Sequence, residues 1–219
     1  MTDKPRRVFQ PRFLKAPRDF VRPDWQQVAL PLCLEIGAGM GRHAIQFGQH
    51  HPDKILYAIE RTAEKFNVFA ERAAAAQLAH VYPVHADAIP WVVHALPPQS
   101  ISECFILYPN PEPKNPAQRW LNMPFFEFLL SRLQDNAQLT LVSNIPEYIN
   151  EAAQQLTDVW QLPFIQQAVP VDSARTHFEV KYLARGEPCQ ELLIRKPAGY
   201  QTLFDAYDHA LQQPEMAQE

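Results

Sequence analysis

Leu34-Glu35-Ile36-Gly37-Ala38-Gly39-Met40-Gly41 packs three of the chain's six glycines into five residues. The apolar run over 30–36 reads as a short buried strand and 42–49 continues as a helix, so the glycines occupy a strand-to-helix turn. Glycine at such positions adopts φ > 0 and lets a ligand reach the backbone without meeting a Cβ. The amides of the helix's first turn stay free to face an anionic group. A turn built this way holds a nucleotide-like cofactor.

Spacing selects the cofactor. A dinucleotide fingerprint runs G-x-G-x-x-G, whereas this turn reads G-x-G-x-G and places Arg42 where the third glycine would stand. The departure points away from NAD and toward S-adenosylmethionine. The next strand, over 54–60, ends in Glu60, about 20 residues past the turn, where an acid grips a ribose with both hydroxyls free. A third strand over 80–86 runs into Asp87, which is either an acceptor for an adenine amine or a helix N-cap. Three strands thus end in Glu35, Glu60 and Asp87. The expected cofactor-binding set is these acids, Gly37, Ala38 and Gly39 of the turn, and Arg61 and Ala88, which follow the two later acids.

Strand and helix alternate onward. Helices are predicted over 62–78, 124–133 and 146–157, and strands over 101–108 and 138–144. The stretches 178–184 and 189–195 read as an antiparallel hairpin around 185–188. The fold class expected is α/β: a doubly wound, mainly parallel seven-stranded sheet with a C-terminal antiparallel hairpin. At 219 residues and 47% hydrophobic composition the chain suits one domain over 25–219 behind a basic arm over 1–24. The first 22 residues carry net +5, leaving −9 on the rest of a chain whose total is −4. With Phe9, Phe13 and Phe20 interleaved, the arm suits either RNA contact by charge and stacking or a solvated tail.

No apolar segment is long enough to span a membrane and no secretory signal is evident, so a cytoplasmic location is expected. Cys33, Cys104 and Cys189 lack paired spacing and read as small core hydrophobes. The histidines show no metal-ligand spacing, so no metal is expected. Trp91 and Trp120 read as packing residues.

After the fourth strand comes Tyr108-Pro109-Asn110-Pro111-Glu112-Pro113-Lys114, a loop stiffened by alternate prolines. It resembles the P-D-P-W-P-K loop of the bacterial tRNA (guanine-N7)-methyltransferase family, with matches at Pro109, Pro111, Pro113 and Lys114. Thr176-His177-Phe178-Glu179 resembles that family's T-x-F-E segment, and the stretch 141–148 resembles its T-D-x-x-x-Y strand-five pattern. The resemblance runs from about Leu34 to Lys196. It implies S-adenosylmethionine contacts at Glu35, Glu60, Asp87 and Asn110, a catalytic place for Asn110, and tRNA contacts at Lys114, Asn144, Thr176, His177, Phe178 and Glu179. The family's two Asp positions are Asn110 and Asn144 here, the loop Trp is Glu112, and the basic cluster after the loop shrinks to Arg119.

Guanine N7 presents a free lone pair, so transfer needs positioning rather than a base. Glu179 would accept from guanine N1–H and the exocyclic amine, and a nearby carboxylate would stabilise charge arriving on the purine. Asn110 keeps an acceptor but no charge, so it is expected to preserve cofactor binding and to weaken or redirect catalysis. Other readings stay open at this point: methylation of another RNA or a small molecule, an amino-group methyltransferase using Asn110 in an N-P-P-like loop, or a cofactor-binding pseudoenzyme or RNA-binding subunit.

Overall fold

The computed structural model describes residues 7–25 and 29–212. Lys4 and Arg6 of the expected arm lie outside the described residues. The chain alternates through β1 (Leu32–Ile36), α1 (Arg42–His50), β2 (Ile55–Glu60), α2 (Ala63–Ala75), β3 (Val81–His85), α3 (Ala88–Ala95) and β4 (Ile101–Leu107). It continues through α4 (Phe125–Arg132), β5 (Leu133–Ser143), α5 (Pro146–Gln155), β6 (Phe164–Ala168), α6 (His177–Ala184), β7 (Gln190–Arg195) and α7 (His209–Gln212).

Seven strands form one sheet in the order β3-β2-β1-β4-β5-β7-β6. β1 through β5 pair in parallel, while β7 runs antiparallel to both β5 and β6. The strand order reverses between β1 and β4, and the crevice at the carboxyl ends there is where open α/β sheets bind ligands. Alternate residues of the central strands feed two cores. Leu32, Leu34 and Ile36 of β1 and Cys104 and Ile106 of β4 pack with α3, α4 and α5. Cys33, Phe105 and Leu107 face the other way, onto Ala44 and Phe47 of α1 and Phe69 and Ala73 of α2. Burial on both faces explains why these strands read as continuous apolar runs. All three cysteines are buried thiols. Burial pushes Cys33 up to about 12, and Cys104 and Cys189 also rise, so none is a ready nucleophile.

The C-terminal pairing corrects one expectation. Residues 178–184 are not a strand but α6, and the partner of β7 is β6, which sequence reading left without an element. Phe178, Val180 and Tyr182 alternate with Glu179 and Lys181 in strand fashion. However, Glu179 is fully buried while Phe178 and Val180 are exposed, the inverse of a half-buried strand. The deciding signal is the capping pattern T-x-x-E: Thr176 Oγ1 accepts from the Glu179 amide at 3.0 Å.

The segment 7–25 is laid onto the domain. Phe9 packs against Phe125, Phe128 and Phe204 with ring centroids 5.4–6.1 Å apart. Phe20 meets His94 at 5.9 Å, and Arg22 pairs with Asp208 at 3.0 Å. Neither reading of the arm describes this segment as a whole, since Phe9 and Phe20 are half-buried packing residues rather than stacking platforms or parts of a solvated tail, and only Phe13 of the three is well exposed.

Candidate active site

The glycine turn is held open by its neighbours. Gly37 and Ala38 both donate to Ile59 O at 2.9 Å, tying the turn to the end of β2. Gly39 has φ +59° and nothing near the place where a Cβ would stand, so the backbone borders open space. Gly41 has φ +76°, and a Cβ there would fall 1.9 Å from the Phe69 ring, which lets α1 and α2 pack closely.

Glu60 is nearly buried. Its Oε2 accepts from the Gly39 amide at 2.9 Å and its Oε1 from the Thr62 amide at 2.7 Å. Each carboxylate oxygen retains acceptor capacity for a further donor such as a ribose hydroxyl. Asp87 Oδ1 accepts from the Ile89 amide at 2.9 Å. The N-cap role is thus realised, while Asp87 still borders the cleft. Glu35 is 1% exposed, and its Oε2 stands 3.1 Å from His43 Nδ1. The pair is misaligned, leaving both atoms buried without a hydrogen bond. A buried carboxylate in that state suits an incoming ammonium group.

These residues line a cleft of about 980 Å³. Its far wall comes from two distant stretches, Leu107–Glu112 running out of the end of β4 and Thr176–Phe178 at the cap and start of α6, together with Tyr182. Within the proline loop, Asn110 Nδ2 donates to Glu112 Oε1 at 2.7 Å, and the Glu112 amide approaches Asn110 Oδ1 at 3.4 Å. Tyr108 has φ +51°, an uncommon conformation for a bulky residue. Its hydroxyl donates to Glu179 Oε2 at 2.9 Å.

The expected cofactor residues Glu35, Gly37, Ala38, Gly39, Glu60, Arg61, Asp87, Ala88 and Asn110 all line this cleft, as do Thr176, His177 and Phe178. Lys114, Asn144 and Glu179 do not. Asn144 donates to Glu187 at 2.7 Å. Glu179 differs most from its expected part as an acceptor for a guanine edge. Its carboxylate is fully buried and accepts from Ser173 Oγ at 2.5 Å, from the Arg175 amide at 2.9 Å, from the Arg175 guanidinium and from Tyr108. Burial alone would raise the Glu179 carboxyl, but the Arg175 and Ser173 donors outweigh it and hold it below the usual carboxylate range. The Tyr108 hydroxyl is pushed up by burial and by that carboxylate, so it stays a donor. Sequence reading missed His43, Lys65, Arg72, Trp120 and Tyr182 as cleft residues. A usable signal existed for His43, one position into the helix after the glycine turn.

Glu35 and Glu60 would repel a nucleotide's phosphates, yet they suit the amino group and ribose hydroxyls of a phosphate-free nucleoside. Together with the open glycine backbone, this pair of acceptors fits S-adenosylmethionine, and the fold and site define an S-adenosylmethionine-dependent methyltransferase. Residues 29–191 match the family described as "Putative methyltransferase", and the chain belongs to that family. The tRNA (guanine-N(7)-)-methyltransferase of Burkholderia thailandensis is 26% identical over 197 residues, covering 85% of this chain and 73% of that protein. That of Burkholderia ambifaria is 27% identical over 202 residues, covering 87% and 78%.

Among solved structures, a 16S rRNA (adenine(1408)-N(1))-methyltransferase with cosubstrate SAM from Catenulisporales acidiphilia superposes with TM-score 0.60 at 16% identity, covering 79% of this chain and 88% of that one. Precorrin-6y C5,15-methyltransferase from Geobacter metallireducens superposes with TM-score 0.57, also at 16% identity, covering 76% and 80%. Both share the fold. No helix among the described residues is long and apolar enough to cross a membrane.

Proposed function

We propose that this chain methylates guanine N7 in tRNA, in the cytoplasm. One observation carries the reading. The two segments that resemble the tRNA (guanine-N7)-methyltransferase family, the proline loop and Thr176–Phe178, are more than 60 residues apart in sequence, yet they line the same cleft as the glycine turn. Relatives of that name match over most of the chain.

When bound, S-adenosylmethionine supplies a methyl group on a cationic sulfur, open to in-line attack by a lone pair. Glu35 would hold its amino group and Glu60 its ribose, with Asp87 beside the adenine. The protein's remaining task is to orient the acceptor and exclude water, which alone accounts for a large share of the barrier. Positive charge then accumulates on the purine. The family's loop carboxylate is missing at Asn110, but Glu112 restores a negative charge two residues on, hydrogen-bonded to Asn110 and bordering the cleft. A carboxylate there stabilises the charged product side of the reaction.

The test is turnover. The protein is incubated with methyl-labelled S-adenosylmethionine and tRNA from cells lacking 7-methylguanosine, and nucleosides are resolved by mass spectrometry. Labelled 7-methylguanosine is expected; a different methylated nucleoside, or none, would overturn the assignment.

A further inference from the structure

Among the described residues, Glu35 Oε2 and His43 Nδ1 are the two buried side-chain atoms that lack a hydrogen-bond partner, and they stand 3.1 Å apart. Cys33 and Glu35 share one face of β1, the face covered by α1, so a carboxylate occupies a place where the strand otherwise supplies apolar groups. His43 is the second residue of α1, directly beyond the glycine turn. Its ring lies 5.9 Å from that of Phe47, one turn on, and 4.8 Å from that of Phe105 in β4, and these rings confine it beside Glu35. Both members of the pair line the cofactor cleft.

The other ionisable groups around the pair are engaged or neutral. Arg42, the neighbour of His43 on α1, donates through Nε to Ala174 O at 2.8 Å. Beyond Phe47 stand His51, in ring contact with it at 4.5 Å, and Lys54, which pairs with Glu103. Burial pushes Cys33, Cys104, Cys189 and Tyr108 up, so they stay neutral, and Tyr182 packs on Tyr108. Elsewhere in the cleft, the carboxylates of Glu60 and Asp87 accept from backbone amides. A carboxylate as deeply buried as that of Glu35 is costly while its charge is uncompensated. One cation compensates it, and two can do so in turn: the imidazolium form of His43 and the ammonium of S-adenosylmethionine. Both together would leave an excess positive charge in the same confined space.

We infer that His43 is a positioning residue whose protonation competes with the cofactor's amino group for Glu35. Below the pH at which the pair titrates, Glu35 and His43 hold one proton in common, mainly on the imidazole, ordinarily the more basic group. When the ammonium settles against Glu35 that proton passes to solvent, and the neutral ring of His43 stays packed beside the carboxylate and keeps it in place. The inference rests on Glu35 holding the cofactor's amino group, as read above, and is independent of the acceptor. Linkage fixes the sign: affinity for an ammonium-bearing ligand falls with falling pH, by about tenfold per pH unit once the pair is protonated. A ligand without the amino group meets no such competition.

The experiment measures binding of S-adenosylhomocysteine and of 5′-methylthioadenosine, a thioether nucleoside without the amino-acid end. Calorimetry is run from about pH 5 to about pH 8, the interval in which imidazoles change charge, in buffers of differing ionisation enthalpy that report the protons exchanged. With the wild-type protein, S-adenosylhomocysteine should lose about tenfold in affinity per pH unit at the acid end and release about one proton, whereas 5′-methylthioadenosine should bind independently of pH. His43→Gln should keep most of the neutral-pH affinity and lose both the pH dependence and the proton release. Glu35→Gln should weaken S-adenosylhomocysteine and leave 5′-methylthioadenosine unchanged. The wild-type comparison of the two ligands decides the linkage even where a variant folds poorly: a flat S-adenosylhomocysteine profile, or equal slopes for both ligands, would overturn it. An unaltered slope in His43→Gln would overturn the part given to His43. Undiminished S-adenosylhomocysteine affinity in Glu35→Gln would remove Glu35 from the amino group and the inference with it, while leaving tRNA methylation to the turnover assay.

Discussion

Asn110 and Glu112 exchange roles that a single aspartate would combine. Asn110 supplies an amide held in place by its neighbour, and Glu112 supplies the charge, with 2.7 Å between Asn110 Nδ2 and Glu112 Oε1. If that charge stabilises the developing positive purine, Glu112→Gln should lower kcat about tenfold with KM for S-adenosylmethionine unchanged. Adding Asn110→Asp to that variant should restore most of the loss, because the carboxylate returns two positions away. Steady-state kinetics on tRNA check both outcomes, and an unaltered kcat in Glu112→Gln would remove the carboxylate from the chemistry. The individual residues were unequally legible. Glu60 followed from its distance past the glycine turn and from strand geometry, both local properties. The pairing of Asn110 with Glu112 was not, since it depends on Glu112 adopting φ +45° inside a loop whose prolines already restrict it.

Among the elements, the glycine turn and α6 carry opposite lessons. Gly41 is required because its φ is positive and its Cα faces the Phe69 ring. Gly41→Ala should destabilise the protein by about 3 kcal/mol in denaturant unfolding, because neither the backbone nor a fully buried ring can yield cheaply. That position was visible in the sequence as a glycine in a turn. In α6 the alternation of apolar and polar residues pointed to a strand, and the cap Thr176 with the buried Glu179 prevailed. Glu179 is held below the usual carboxylate range despite its burial, so the folded state binds its proton more weakly than the unfolded chain. Its contribution is therefore complete above the ordinary value of 4.5 and is lost as pH falls through the lower folded value. Glu179→Gln should lower stability at neutral pH and flatten the acid limb of the stability curve below about pH 5. Chemical denaturation across that range measures it; a variant whose acid limb parallels that of the wild type would show that Glu179 is not the responsible group.

For the molecule as a whole, the N-terminal segment belongs to the stability of the domain. Phe9 sits among Phe125, Phe128 and Phe204, and Trp25 Nε1 donates to Ala95 O at 2.5 Å. Phe9→Ala should cost about 2 kcal/mol of unfolding free energy, less than for a fully buried phenylalanine because Phe9 is only half-buried. A thermal or denaturant midpoint equal to that of the wild type would show the segment to be loosely held. Charge counts described this stretch as a basic arm, and no local pattern marked which of its aromatics would find a cavity.

The same division holds across the protein. Local order along the chain was enough for the parallel sheet, the cofactor turn and the acids at three strand ends, because glycine dihedrals, apolar periodicity and fixed spacings act between near neighbours. Packing assigned the rest: β6 rather than 178–184 beside β7, and Glu179 to Arg175 and Tyr108. Those outcomes join residues as many as 71 positions apart, and they depend on which surfaces the folded sheet brings face to face.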